Sequence, residues 1–121
     1  MTTRQTVEAA GEWGPKVGYS RAVRVGQHVH VAGTTSPGEG LEAQTRGALA
    51  IALGALAELG GTPEDVVRTR LYLTDVTQWE AAARAHGEIF GEIRPATTLL
   101  EVSKLIDADL LVELEVEAIL P

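Results

Sequence analysis

The sequence predicts an α+β fold in which two helices pack on one face of a sheet, with the elements in the order β-β-α-β-α-β-β. Two segments carry apolar residues at helical spacing, and strand-like segments with alternating side chains precede, separate and follow them. No linker-like segment, low-complexity stretch or internal repeat interrupts the 121 residues. We therefore expect a single domain that spans residues 1–121.

Composition and charge favour a globular protein that binds neither nucleic acid nor a membrane. Hydrophobic residues make up 45% of the chain and aromatic residues only 4%, so the core must consist of Leu, Val, Ile and Ala. The net charge of −7 argues against broad electrostatic binding to nucleic acid or anionic lipid, because both require a cationic surface. No apolar run approaches the ~20 residues that span a bilayer.

The absence of cysteine removes several classes of chemistry. Disulfides, thiolate metal ligands and cysteine nucleophiles are all excluded. The first eight residues also lack the apolar stretch of a signal peptide. We therefore expect a cytoplasmic protein.

The first predicted elements form a β-hairpin. Residues 18–25 and 28–32 are strand candidates, and Gly26-Gln27 is a tight connection between them. Alternation places His28 and His30 on one face of the second strand. This pair could chelate a metal, but such sites normally need three or more ligands and no third is identifiable. Exposed histidines are therefore the favoured interpretation.

A long helix is predicted from about Leu41 to Leu59, after a loop over residues 33–40. Gly60-Gly61 ends this helix. Gly47 and Gly54 lie on nearly one side of it, although each glycine costs a helix interior about 1 kcal/mol. We expect close packing of the helix on the sheet to explain both glycines. The apolar face consists of Leu49, Ala52, Leu53, Leu56 and Leu59.

A turn, a strand and a second helix follow. The segment 62–65 is a cap-like turn with proline at a favourable first helical position, and residues 66–74 form a strand. Thr77 and Glu80 have capping-box spacing, which predicts that they open a helix that continues to Phe90.

The last predicted elements are two strands, at residues 98–105 and 110–120, after a break at Arg94-Pro95. Alternation gives one sheet face charges of both signs. This face is either a solvated surface with ion pairs worth at most ~1 kcal/mol each, or it meets another subunit. Its members are Arg68, Arg70, Tyr72, Glu113, Glu115 and Glu117, and the opposite face of strand 66–74 holds Val67, Thr69, Leu71 and Leu73.

An ordered set of short motifs resembles the RidA family, also called the YjgF or L-PSP endoribonuclease-like family. The resemblance covers the chain from about Gly18 to Leu120, and its specificity lies in the order of the motifs, since no single one is decisive. The motifs are Gly18-Tyr-Ser, Gly33-Thr, Glu42-Ala-Gln44-Thr-Arg, Leu59-Gly-Gly-Thr-Pro-Glu-Asp-Val66, Leu73-Thr-Asp75, Phe90, Arg94-Pro-Ala96 and Glu115-Val-Glu-Ala118.

The resemblance implies a chorismate-mutase-like fold with a mixed sheet, and a homotrimer whose sheets pack into a central barrel with ligand clefts between subunits. Archetypal members are deaminases that hydrolyse reactive imines or enamines, such as 2-aminoacrylate, to a 2-keto acid and ammonia. Their last strand carries a glutamate that positions the attacking water, which Glu115 matches. A cleft tyrosine and a cleft glycine are matched by Tyr19 and Gly33.

This sequence departs from the archetypal pattern at the residue after the Pro-Ala pair. An arginine there binds the substrate carboxylate in archetypal members, whereas this chain has Thr97, and a neutral hydroxyl cannot replace a guanidinium. The chain thus resembles branches of the family that lack this arginine, so deamination of carboxylate-bearing imines is expected to be weak or absent. A serine, an asparagine and a cysteine of the archetypal cleft are matched by Ala32, Ala83 and Leu99.

We expect a hydrolase or deaminase that acts on an imine or enamine, with Glu115 as the catalytic residue and no metal or organic cofactor. His86 is either packed or at the cleft edge, and Trp13 either covers the core edge or walls the cleft. Arg94 could reach the cleft, although a surface loop position is favoured. The alternative function is a non-enzymatic module that binds a metabolite, and an endoribonuclease is disfavoured by the net charge. The expected substrate-binding residues are Tyr19, Gly33, Thr97 and Arg94.

Overall fold

The computed structural model describes residues 3–121. Met1 and Thr2, the first residues of the segment that lacks the apolar stretch of a signal peptide, lie outside the described residues. The strands are β1 (Arg4–Glu8), β2 (Ser20–Val25), β3 (His28–Thr34), β4 (Val66–Leu73), β5 (Ala96–Glu101) and β6 (Val112–Ile119). The helices are α1 (Trp13–Val17), α2 (Leu41–Glu58) and α3 (Trp79–Phe90), and 3₁₀ turns span Pro63–Asp65 and Val76–Gln78.

All six strands form one mixed sheet in the order β1-β2-β3-β6-β4-β5. Every neighbouring pair is antiparallel except β4 and β5, which run parallel. A parallel connection requires a crossover, and α3 supplies it. The predicted α+β class, the hairpin and the two long helices are confirmed.

The core lies between one sheet face and the two long helices. Val112, Leu114 and Val116 on β6 are fully buried, and Leu49 and Leu56 of α2 face them with no exposed surface. The predicted aliphatic core is therefore confirmed, with Phe90 as its one large aromatic side chain. None of the helices formed by residues 3–121 combines the length and the apolar character that a bilayer crossing requires.

The first strand was expected to begin at Gly18. The N-terminal strand β1 and the short helix α1, which precede it, were not predicted. On β1 only Val7 is partly buried and the other residues are exposed, so no buried face produces a pattern in the sequence. Backbone pairing with β2 at the sheet edge holds this strand. Gly18 instead ends α1 in the left-handed region, with φ 86°, and β2 starts at Ser20.

The predicted bounds of β5 were wrong. The strand covers Ala96–Glu101 and not residues 98–105, because its parallel register pairs Ala96 with Arg68 and Glu101 with Leu73, where β4 ends. Beyond that point β5 has no partner strand to continue its ladder. The strand β6 begins two residues later and ends one residue earlier than predicted, and β3 ends two residues later than predicted.

The predicted side-chain alternation of β4 fails at the start of the strand. Val66 pairs with Ala118 and Arg68 pairs with Glu117, so Val67 is an extra residue in a β-bulge. As a result Val66 is buried. Val67, which was expected in the core, is exposed.

Two local explanations also need correction. The backbone N–H of Thr77 is capped by Asp75, and α3 begins at Trp79 without a side-chain cap, so the capping box predicted for Thr77 is wrong.

A Cβ on Gly47 would collide with Ser36 of the preceding loop, and one on Gly54 would meet nothing within 4 Å. Packing on the sheet therefore explains neither glycine. The predicted turn at Thr62 is confirmed, with a complete capping box to Asp65.

Candidate functional site

The sheet face opposite the helices carries three glutamates on β6. Their neighbours on β4 are fixed by the antiparallel register, which pairs Glu113 with Tyr72, Glu115 with Arg70 and Glu117 with Arg68. The intervening residues of β6 are buried in the core, so the three carboxylates all point away from the helices. Alternation thus places these side chains as the sequence predicted.

Glu115 receives a hydrogen bond from a tyrosine. The Tyr72 hydroxyl donates to Glu115 Oε1 at 2.5 Å. This hydrogen bond, followed by burial and the Glu115 charge, raises the pKa of Tyr72 above its ordinary value of 10.0. Tyr72 therefore stays protonated at neutral pH and keeps one carboxylate oxygen of Glu115 in place, which leaves the other oxygen for a further partner.

Glu117 is held differently, by an arginine and a histidine. Its Oε1 lies 3.5 Å from Arg70 Nη1 and 3.4 Å from His30 Nδ1. No ion pair within residues 3–121 includes Glu115. Of these two carboxylates, Glu115 is therefore the one without a cationic partner.

An open cleft of about 410 Å³ adjoins Glu115. Tyr19 forms part of its wall together with Glu115, so two of the predicted site residues meet at this cleft. Its other lining residues include Ser20, His30, Ala32, Arg70 and Glu117. We call it the Glu115 cleft.

A second cleft, of about 530 Å³, adjoins Glu113 and is more apolar. Gly33 lies in its wall, and Tyr19 and Ala32 line both clefts, so the two spaces are neighbours. Trp13 also lines this second cleft and is 48% exposed, which favours an aromatic wall over a cover for the core edge. Its further apolar members are Val17, Ile51 and Ile106.

Gly33 makes room for the carboxyl group of Glu113. A Cβ at position 33 would collide with Glu113 Oε2 and lie 3.0 Å from Glu113 Cδ, so a side chain here would displace the glutamate. Burial, and then the charge of Glu115, raise the pKa of Glu113 above 4.5, although the Arg21 charge lowers it. Sequence reasoning did not distinguish Glu113 from the other glutamates on its strand, because alternation gives them the same face.

Arg21 is a further side chain of the second cleft that sequence reasoning missed. Its guanidinium donates to Gly33 O at 2.9 Å and to Thr34 Oγ1 at 3.2 Å, and its Cζ lies 5.8 Å from the centre of the Tyr19 ring. Alternation along β2 from Tyr19 could have placed Arg21 on the same face.

Thr97 and Arg94 lie elsewhere, at the β5 edge. Thr97 Oγ1 is 2.8 Å from Oγ1 of the buried Thr69, so Thr97 points to the helix side of the sheet, whereas Thr98 accepts a 3.5 Å contact from Arg68 on the charged side. Arg94 is exposed and adopts the left-handed φ of 58° after α3. Neither residue lines the two clefts.

The predicted site residues of one chain therefore form two separate groups. Tyr19, Gly33 and Glu115 lie together at the two clefts, whereas Thr97 and Arg94 lie apart from them. Within a single chain, the side chains of Glu115 and Thr97 cannot contact one ligand because the sheet separates them.

The histidines are distributed over different environments. His28 and His30 are exposed on β3, as favoured from the sequence, and His86 is half-buried on α3. Nowhere in residues 3–121 do three or more His, Cys, Asp or Glu side chains cluster in an arrangement that could hold a metal ion.

Comparison with known proteins gives a consistent result over nearly the whole chain. A family model described as endoribonuclease L-PSP matches residues 9–120. An uncharacterized protein of Streptomyces coelicolor, SCO2049, is 43% identical over 120 residues, which cover 93% of this chain and 89% of that protein. A RutC family protein of Pyrococcus abyssi is 33% identical over 105 residues, covering 80% of this chain and 82% of the relative.

A solved structure has the same fold. Rv2704 of Mycobacterium tuberculosis, a member of the YjgF/YER057c/UK114 family, superposes with a TM-score of 0.95 at 47% identity, over 98% of this chain and 100% of that one. The expected chorismate-mutase-like α+β fold is thereby confirmed.

Proposed function

Because the chain belongs to the endoribonuclease L-PSP family, also named the YjgF or RutC family, we propose that it hydrolyses a small imine or enamine in a cleft between subunits. One observation carries the proposal. Glu115 borders an open cleft, has no cationic partner among residues 3–121, and is bonded at one oxygen by Tyr72. A carboxylate held in this way has its other oxygen available to orient a water molecule. A cytoplasmic location is part of the proposal.

The proposed reaction balances without a metal or an organic cofactor. The imine reacts in its protonated form. Glu115 accepts a proton as the water oxygen bonds to the imine carbon, and the C=N π electrons move to nitrogen, which gives a neutral amino alcohol. Glu115 then returns that proton to the nitrogen, and the C–N bond breaks as the hydroxyl oxygen forms C=O and its proton passes to the Glu115 carboxylate. The released ammonia takes this proton and leaves as ammonium. An enamine enters the same sequence after protonation at carbon gives the protonated imine. Tyr19 would form the cleft wall beside the reacting carbon.

A complete site requires a second subunit in this proposal. The charged face and its edges also expose apolar side chains, namely Val25, Leu100 and Ile119, which are 41%, 37% and 45% exposed. Burying apolar surface is favourable, by roughly 25 cal/mol per Å². In the proposed homotrimer, the β5 edge of one subunit, where Thr97 is exposed, lies beside the Glu115 cleft of the next.

We expect the protein to be a trimer in solution at micromolar concentration. Size-exclusion chromatography coupled to light scattering should give three chain masses. A change of Ile119 to Glu should weaken the trimer, because it introduces a charge beside the three glutamates of β6. The same change at Trp79, which is exposed at the start of α3 and lies outside the charged face, is the control. A monomer mass for the unmodified protein would contradict the proposed assembly.

We expect weak or no activity on 2-aminoacrylate, because Thr97 provides no cation for its carboxylate. Loss of a charge-assisted contact in a dry site typically costs about 2–5 kcal/mol. Ammonia release should be measured for 2-aminoacrylate from a dehydratase and for uncharged imines from an amine oxidase, each relative to spontaneous hydrolysis. T97R should increase the rate for 2-aminoacrylate. Rapid hydrolysis of 2-aminoacrylate by the unmodified protein would contradict the prediction, and binding of imines without turnover would favour a binding module.

A further inference from the structure

Three side chains form a continuous hydrogen-bonded row on the helix side of the sheet, from α3 across β4 to the β5 edge. His86 Nε2 lies 2.9 Å from Thr69 Oγ1, and Thr69 Oγ1 lies 2.8 Å from Thr97 Oγ1. Thr69 is fully buried, whereas Thr97 is exposed. The row thus connects a half-buried imidazole on one element with a surface hydroxyl on another, through a residue that solvent does not reach.

The protons in this row allow only two arrangements. Each threonine hydroxyl has one proton, and the buried Thr69 must donate to one neighbour and accept from the other. In the first arrangement Thr97 donates to Thr69, Thr69 donates to Nε2 of His86, and Thr97 presents only lone pairs outward. In the second, His86 Nε2–H donates to Thr69, Thr69 donates to Thr97, and the Thr97 proton is free for Pro95 O, at 3.2 Å, or for a ligand.

The imidazole permits both arrangements. His86 packs beside the Phe90 ring, with the ring centres 4.7 Å apart. Burial lowers the pKa of His86 below its ordinary value of 6.5, so the ring is neutral at neutral pH and has two tautomers. The tautomer with the proton on Nδ1 supports the first arrangement, and the one with the proton on Nε2 supports the second.

We propose that Thr97 binds an uncharged hydrogen-bonding group of the ligand, and that the tautomer of His86, through Thr69, sets whether the Thr97 hydroxyl donates or accepts. The inference rests on the proposed function, which brings Thr97 to the cleft of the next subunit. His86 and Thr69 are positioning residues in it, since neither touches the ligand. The row gives no cation to this position, so the group it accommodates is a carbonyl, amide, hydroxyl or amine and not a carboxylate.

The row itself is tested without any ligand, by the ¹⁵N chemical shifts of the His86 ring. T97V removes the surface hydroxyl with little change of shape and should move the Nε2 resonance, because Thr69 loses a partner. T98V on the opposite face of the same strand is the matched control and should not. T69V should move the resonance further, and T69S should restore it. An unchanged His86 spectrum in T97V would overturn the inference.

Ligand recognition is tested with 2-oxobutyramide and 2-oxobutyrate, which differ in the charge of one group. The amide should shift the His86 ¹⁵N resonances of the unmodified protein but not of T97V, and the carboxylate should not shift them. No response to either compound, or an equal response to both, would overturn the proposed recognition.

Kinetics separates this inference from the proposed function. For an uncharged imine, T69V should raise KM by roughly fivefold at similar kcat, because it leaves the Thr97 hydroxyl without the partner that orients it and leaves Glu115 in place. A drop in kcat alone would overturn the positioning role. If the amide shifts His86 while no imine is hydrolysed, the proposed hydrolase fails and the recognition by Thr97 stands.

Discussion

Substitution of Glu115 by Gln is expected to lower the turnover of a small imine by roughly 10²–10⁴-fold, the usual contribution of a general base. Glutamine preserves the length of the side chain and can still accept the hydrogen bond from Tyr72. It cannot accept a proton from water at neutral pH. The loss should therefore appear in kcat, with the trimer mass and the circular dichroism spectrum unchanged.

Two further variants make this experiment specific. E117Q changes the neighbouring carboxylate on the same face, which is paired with Arg70 and His30. It should reduce kcat by less than about tenfold, because it removes a partly exposed ion pair worth about 1 kcal/mol. Y72F leaves the Glu115 carboxylate charged but without its hydrogen bond, and should give an intermediate loss. Equal turnover by E115Q and the unmodified protein would remove Glu115 from the mechanism and favour the metabolite-binding alternative.

Substitution of Gln44 by Leu is expected to destabilise the protein by about 1–3 kcal/mol, since three partly buried hydrogen bonds to the backbone of two loops are lost. Gln44 is 3% exposed at the start of α2. Its Nε2 donates to Gly38 O at 3.2 Å and to Asp109 O at 2.9 Å, and its Oε1 accepts from Leu111 N at 2.8 Å. One amide thus joins the loop before α2 to the loop before β6.

Urea unfolding at one fixed protein concentration measures this effect, because assembly makes apparent stability depend on concentration. Q27L is the matched control, since Gln27 is exposed in the hairpin turn, and it should change stability by no more than about 0.5 kcal/mol. The second cleft should also lose shape in Q44L, since Thr35 and Ile106 in its wall belong to the two joined loops. A midpoint for Q44L equal to that of Q27L would contradict the structural role of Gln44.

Local patterns were sufficient to predict the elements that bury one face. The period-two alternation of β6 and the helical spacing of α2 both appear in the sequence because these elements pack against each other, with Leu114 and Leu56 fully buried. The same alternation placed Glu115 on the polar face. The motif resemblance, together with the matched residue Tyr19, then predicted the family and two of the side chains that meet at the Glu115 cleft.

Local patterns could not predict elements or partners that depend on distant residues. The strand β1 exists because β2 offers it a backbone edge, and β5 ends where its parallel partner β4 ends. Neither the presence of β1 nor the end of β5 is encoded by the side chains of that strand itself. The bulge at Val67 depends in the same way on the register with β6.

The sequence alone determined the α+β class, the family and the polar face on which Glu115 lies. Only the tertiary structure decided that Tyr72 holds Glu115, that Glu113 fills the space over Gly33, and that Thr97 lies across the sheet in a row with His86. The physical reason is that burial imposes a period on each element, which a single sequence reveals. Hydrogen bonds and steric contacts between elements are instead set by strand register and loop closure, which join residues far apart in the chain.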